Sequence, residues 1–186
     1  MSGLECDGPA ADAGSGSRRP ALSPTIRPAT PDDLPALTGL YNHYVRESPA
    51  TFDIEPFSVE ARREWFDGFA PGTPHQLWVA EGEGGVLGFS CSRSFRPKAA
   101  YRTTVETTVY CAPGATGEGL GRRLYAALFQ GLEGLDLHRA YAGVTWPNPA
   151  SAALHEAFGF RRVATFSEVG HKLGRFWDVV WYEKRL

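Results

Sequence analysis

Three groups of residues in this 186-residue chain have types and spacings suited to chemistry. The first is Gly117-Glu118-Gly119-Leu120-Gly121-Arg122-Arg123, which joins a strand-like run to a helix-like one. Glycines let the main chain take positive φ and approach a ligand closely. Amides at the start of the following helix then point at an anion, assisted by the helix dipole. The stretch reads as a phosphate cradle, to which Arg122 or Arg123 adds positive charge. A P-loop is excluded, because no Gly-Lys-Ser/Thr follows at the required spacing. The Gly-x-Gly-x-Gly spacing also departs from the dinucleotide-binding turn, and no βαβ unit leads into it. A flexible connection is the competing reading.

The second group centres on Glu106, the one acid in a run of Thr, Val and Tyr ending at Cys111. Strand alternation puts Glu106 on one face with Thr104, Thr108 and Tyr110. A carboxylate in such a strand is costly unless it is paired or at work. It is therefore a candidate base or a satisfied structural acid. Cys111 is a candidate nucleophile, but alternation turns it to the opposite face. The third group, Arg96, Lys98 and Tyr101, lies just upstream. Arginine offers a bidentate fork for acidic groups and lysine a point charge, although a solvated basic loop has the same composition. Further along, Asn148 in Trp-Pro-Asn-Pro-Ala-Ser suits a turn or cap. His155 is a candidate proton donor or an ordinary helix histidine.

The surrounding pattern supplies elements to position these groups. Residues 25–29 suit a short strand, and Thr30-Pro31-Asp32-Asp33 a helix start. Leu34, Leu37, Leu40, Tyr41 and Tyr44 follow at helical spacing. A second helix is expected from Ser58, with Ala61, Trp65, Phe66 and Phe69 on its buried stripe. Runs 76–81 and 86–95 flank the turn Gly82-Glu83-Gly84-Gly85, a hairpin signal. A strand over 101–111, the glycine turn, a helix over 122–135, a strand over 139–146 and a helix over 150–158 come next. Two strands, near 160–168 and 176–184, close the pattern β-α-α-β-β-β-α-β-α-β-β. Residues 1–24 are rich in Gly, Ala, Ser and Pro and read as a flexible tail. Residues 25–186 read as one α/β domain.

A net charge of -2 argues against broad binding to nucleic acid, which needs a clustered basic surface. No apolar run approaches the roughly 20 residues of a membrane span, and no secretory signal pattern opens the chain. The cytoplasm is the expected compartment. Cys6, Cys91 and Cys111 show neither metal-ligand nor disulfide-framework spacing, so no metal is expected.

The stretch 109–128, VYCAPGATGEGLGRRLYAAL, resembles the acetyl-CoA loop of the GNAT N-acetyltransferase superfamily. That loop has the pattern Gln/Arg-x-x-Gly-x-Gly/Ala. Its glycines fall on Gly119 and Gly121, and its first position on Thr116, a departure. Four further stretches, 41–56, 96–110, 146–160 and 170–184, resemble the phosphinothricin and methionine sulfoximine acetyltransferase branch, so the likeness covers about residues 25–185. It implies a central mixed β-sheet flanked by helices on both faces. It also implies transfer of acetyl from acetyl-CoA to the α-amine of a small amino-acid analogue. Acetylation of a protein N-terminus or polyamine, and a non-catalytic CoA sensor, are the alternatives.

Residue by residue, the resemblance implies Glu106 as general base, with Tyr110 or His155 as proton donor to the leaving thiolate. Acetyl-CoA would contact Val109, Cys111, Thr116, Gly117, Glu118, Gly119, Leu120, Gly121, Arg122 and Asn148, the last through the pantetheine arm. The substrate would meet Phe52, Arg96, Lys98 and Tyr101. His171 and Lys172 are expected at the substrate entrance of a homodimer, in a partner subunit. Direct attack in a ternary complex is favoured over an acetyl-cysteine at Cys111. Deprotonating an α-amine of pKa near 8 at pH 7 costs about 1.4 kcal/mol, against roughly 4.6 for a lysine amine. A single Glu suits the first.

Overall fold

The structure, a computed structural model, describes residues 23–117 and 119–186. The tail expected over 1–24 therefore lies, except for its last two residues, outside the described residues. Glu118 lies outside them too. Seven strands form one sheet: β1 (Thr25–Pro28), β2 (Leu77–Gly82), β3 (Gly85–Ser94), β4 (Thr104–Cys111), β5 (Arg139–Trp146), β6 (Arg161–Lys172) and β7 (Arg175–Arg185). Their order is β1-β2-β3-β4-β5-β7-β6. All neighbours are antiparallel except β4 and β5, which run parallel.

Four α-helices cover the sheet: α1 (Leu34–Glu47), α2 (Arg63–Asp67), α3 (Leu120–Leu132) and α4 (Pro149–Ala157). Apolar residues at helical spacing decide which face each one buries. Leu37 and Leu40 of α1, with Trp65 and Phe66 of α2, pack on Leu77, Val79, Phe89, Cys91 and Tyr110. On the other face, Tyr125, Leu128 and Leu132 of α3 and Ala152 of α4 meet Val105, Ala140, Ala142, Val144, Val180 and Tyr182. Alternation along β4 is therefore as expected: Tyr110 faces α1, and Val105 faces α3.

Local differences have local causes. Thr30 opens a 3-10 turn over Pro31–Asp33 before α1 begins. Asp33 folds back to accept the Thr30 amide at 2.7 Å and is paired with Arg27 at 2.7 Å. The second helix is shorter than expected. Ser58 does accept the Ala61 amide at 3.1 Å, but regular helix spans only Arg63–Asp67 before Gly68. Ala61 is exposed; the buried residue of that stripe is Arg62. The strand expected from Tyr101 starts at Thr104, because Ala99–Tyr101 form a 3-10 turn.

The parallel pair matters most for function. Its register is Thr104↔Arg139, Val105↔Ala140 and Glu106↔Tyr141, and it ends there. β4 runs on to Cys111 and β5 to Trp146 without pairing with each other. A wedge opens between them, walled by two strand edges whose main-chain groups facing the gap have no strand partner.

Candidate active site

The wedge is the mouth of a cavity of about 590 Å³. Residues 106–111 of β4, Gly143, Val144 and Thr145 of β5, the turn before α3 and the start of α4 line it. Thr116, Gly117, Gly119, Leu120, Gly121, Arg122 and Asn148 are all on its wall. Each is brought there by a strand-to-helix turn at the open end of the sheet. Gly117 (φ 87°) and Gly119 (φ 76°) take the left-handed conformation that glycine alone adopts without strain. Gly119 is the N-cap of α3, so the first amides of that helix open on the cavity. The two arginines that follow divide their roles. Arg123 donates to the Pro24 carbonyl at 2.5 Å, whereas Arg122 is exposed on the cavity wall. An extended diphosphate ester fits this shape: amides and Arg122 for the anion, unpaired strand edges for an amide-bearing arm.

Asn148 caps α4, its side chain accepting the Ser151 amide at 3.1 Å. That bond uses Oδ1 and leaves the side-chain amide as a donor. Cys111 faces α3, where a Cβ on Gly121 would sit 3.8 Å from its sulfur. Burial pushes the Cys111 thiol up to about 11, and no base accompanies it. A thiol so disposed is a poor nucleophile at neutral pH.

Glu106 stands at the last register pair before the wedge, half-buried on the α1 face. Burial raises its pKa above the usual carboxylate value, and the charges of Arg96 and Arg93 pull it partly back. Arg96 Nη1 lies 4.0 Å from Glu106 Oε2, with the guanidinium stacked 4.1 Å over the Phe95 ring. Arg93 is the cross-strand register partner of Glu106.

The tyrosine hydroxyls and the histidine in the wall are committed. Tyr44 donates to the Cys111 carbonyl at 2.6 Å and Tyr110 to the Ala50 carbonyl at 3.3 Å. His155 is 3 % exposed; its Nδ1 meets the Ser151 carbonyl at 2.7 Å and its Nε2 the Tyr125 hydroxyl at 2.9 Å. A carbonyl accepts only, so Nδ1 carries the proton and Nε2 accepts from Tyr125. Burial lowers the His155 pKa and raises those of Tyr110 and Tyr125. Both expected proton donors, Tyr110 and His155, are thus held by protein acceptors or donors, and neither presents a free acidic hydrogen to the cavity.

The substrate-side residues are brought together only in part. Arg96 reaches Glu106, but Lys98 and Tyr101 sit on the exposed 3-10 turn before β4 and line neither of the two larger cavities. Phe52 presses its ring into the space left by Gly170 of β6, where a Cβ would overlap it. It too is absent from both linings. Lys172 is buried, and its ammonium donates to the Tyr44 and Thr51 carbonyls at 3.2 and 2.7 Å. Within this subunit it ties β6 to the loop after α1, beside the cavity wall that Tyr44 and Thr51 form.

Sequence reasoning missed a second cavity of about 450 Å³ on the Glu106 face of the sheet. Tyr41, Asp53, Arg62, Trp65, Arg93 and Thr108 are on its wall. The Arg-x-x-Trp spacing of Arg62 and Trp65 was the available signal, read instead as part of an apolar helix stripe. Among the described residues, no cluster of three or more metal-ligating side chains is present, and no helix is long and apolar enough to cross a membrane.

A mixed sheet split between two parallel strands, with a glycine turn at one end of the split and a carboxylate at its apex, defines an enzyme that moves an acyl group from a diphosphate-bearing carrier. Comparison with known proteins gives the family. Residues 37–160 match the acetyltransferase (GNAT) family model. The chain is 55% identical over 163 residues to a phosphinothricin N-acetyltransferase of Streptomyces coelicolor, covering 87% of this chain and 95% of the relative. It is 33% identical over 165 residues to an L-methionine sulfoximine/L-methionine sulfone acetyltransferase of Pseudomonas paraeruginosa, covering 89% and 96%. Among solved structures, a phosphinothricin acetyltransferase from Sinorhizobium meliloti in complex with acetyl-CoA superposes with a TM-score of 0.83 at 30% identity, covering 89% of each chain. The chain belongs to the GNAT family of N-acetyltransferases, for which acetyl-CoA is the co-substrate.

Proposed function

We propose that this enzyme transfers acetyl from acetyl-CoA to the α-amine of a small amino-acid analogue of the phosphinothricin or methionine sulfone type, by direct attack. The observation that carries the proposal is the position of Glu106, at the apex of the β4–β5 wedge and 4.0 Å from Arg96. The names of the relatives support the same acceptor class.

In this reading the amides after Gly119 and the charge of Arg122 hold the carrier's diphosphate, and the free edges of β4 and β5 with Asn148 hold its arm. Acetyl-CoA supplies the activated carbonyl. Glu106 takes a proton from the acceptor ammonium, and its raised pKa makes it a better base than an exposed carboxylate. Arg96 sits where the acceptor's carboxylate would lie once its amine faces Glu106. Holding amine and carbonyl in line accounts for most of the acceleration. With Tyr110, Tyr125 and His155 committed, the leaving thiolate takes its proton from solvent in the open cavity. Cys111 carries no intermediate.

The reading sets the protein in the cytoplasm, where acetyl-CoA is made and used, and as a homodimer. Exposed Val163, Phe166, Val169, Leu173 and Phe176 on β6, β7 and their turn support a self-contact. A thiol-release assay with phosphinothricin, methionine sulfoximine, methionine sulfone and a polyamine tests the acceptor class. Turnover with the polyamine alone would overturn it.

A further inference from the structure

A buried arginine with no carboxylate in direct contact needs a reason. Arg62 is 7 % exposed and lies among three rings, its guanidinium 3.8 Å from the centroid of Trp65, 4.3 Å from Tyr41 and 5.3 Å from Phe57. Its Nε is fully buried with no hydrogen-bond partner, and no carboxylate lies within 4 Å of it among the described residues. The rings offset part of the cost of burying the cation. They cannot accept its hydrogens in the fork geometry that guanidinium prefers. Burial correspondingly lowers the Arg62 pKa, so the folded chain holds this charge at a cost.

The setting of that charge points to a ligand. Arg62 lines the 450 Å³ cavity, and Arg93, likewise without a carboxylate within 4 Å among the described residues, lines the same space from β3. The two acids on the wall make no direct ion pair with Arg62: Asp53 accepts the Tyr41 hydroxyl at 2.5 Å and acts on Arg62 only through its charge at longer range, and Glu64 is exposed. Thr108, also on the wall, is two residues along β4 from Glu106, about 7 Å, which an amino-acid side chain can span. Across the same sheet face, beyond Glu106, stands the other buried donor without a partner among the described residues, Trp181 Nε1. Both unpaired donors flank the proposed base.

We propose that Arg62 and Arg93 form an anion subsite that takes the acidic end of the acceptor's side chain, while Arg96 takes its α-carboxylate. The inference rests on the acceptor reading above and sharpens it: the preferred acceptor is an α-amino acid whose side chain ends in a second anion, such as a phosphinate. A neutral sulfone end would leave the Arg62 fork unpaired and bind less well.

The test measures KM for phosphinothricin and for methionine sulfone with wild-type protein and the R93S, R62M and R102S variants. Arg102 pairs with Asp136 on the surface at 2.6 Å and serves as the charge control. The expected result is a rise of about tenfold or more in the KM ratio, acidic over neutral, for R93S and R62M, the size of one lost charge-assisted hydrogen bond, with none for R102S. Because R62M disturbs a packed site, calorimetric titration of the CoA-bound protein with methylphosphinate, with circular dichroism as the check on folding, gives a second readout. Wild-type protein binds the probe and R93S does not. An unchanged ratio in R93S with an active wild type overturns the subsite alone. Wild-type protein inactive on both acceptors overturns the acceptor reading, and the subsite's role with it.

Discussion

Glu106 and Tyr141 form the last register pair between β4 and β5, and immediately beyond them the two strands part. The carboxylate is therefore held by a continuous sheet on one side and faces an open wedge on the other. A carboxylate fixed at the apex of a split needs no loop movement to reach its position. Each consequence below can be measured.

Replacing Glu106 by Gln keeps the shape and removes the proposed base. Turnover is expected to fall by more than about tenfold, toward the roughly 10²–10⁴-fold that a positioned base contributes. The acetyl-CoA dissociation constant, read by calorimetry, changes little. Residual activity should rise with pH, as solvent takes over deprotonation of the amine.

The raised pKa of Glu106 also fixes a direction in stability. A carboxylate whose folded pKa exceeds its unfolded value favours the fold below the unfolded pKa and loses that favour as pH rises through the folded value. Glu106→Gln is thus expected to melt higher than wild type at pH 7, and the difference should shrink below about pH 4. Thermal melts across that range check it.

Gly119 caps α3 at φ 76°, where an L side chain is strained. Gly119→Ala should displace the first amides of α3 and weaken acetyl-CoA binding by about tenfold, comparable to one hydrogen bond to a charged group. Calorimetry with CoA reads the loss without recourse to turnover.

Cys111 has a pKa pushed up to about 11 and faces away from Glu106. Cys111→Ala should keep turnover within a few-fold. Protein incubated with acetyl-CoA alone, then denatured and weighed by mass spectrometry, should gain no acetyl group. A covalent adduct on Cys111 would reverse the direct-attack assignment.

His155 contributes to stability through its neutral form. It stacks 5.6 Å from Tyr182, holds Tyr125 and is almost wholly buried. His155→Ala opens a cavity and leaves the Tyr125 hydroxyl only its longer contact with Thr107 Oγ1 at 3.3 Å, with an expected loss of about 2–4 kcal/mol. Its pKa is lowered by burial, so the stability it gives is present above the unfolded value near 6.5 and lost as pH falls through the folded one. His155→Gln should flatten the melting curve's dependence on pH below about 6.5. Turnover of that variant, normalised to folded protein, distinguishes this role from proton donation.

Much of this was legible in the chain itself. The glycine turn, the lone acid of β4 and the β2–β3 hairpin are local signals, carried by residues adjacent in sequence. The wedge was not, because it depends on where a parallel pairing stops between segments 35 residues apart, Glu106 and Tyr141. Arg62 was hidden in a run read by apolar period alone. A cation surrounded by rings belongs to the stripe through its stacking rather than its hydrophobicity. His155 sits at a position from which chemistry is expected, yet its two nitrogen partners come from α3 and its own helix, a geometry that no spacing rule reveals.

Lys172 couples two regions far apart in the chain. Its ammonium fastens β6 to Tyr44 and Thr51, while Phe52 plugs the notch over Gly170. The loop after α1 roofs both chambers, with Ala50 and Thr51 on one and Asp53 and Phe57 on the other. The outer hairpin and that roof are therefore bolted together at two points, the Lys172 ammonium and the Phe52 ring, so one clamp serves the ceilings of both chambers.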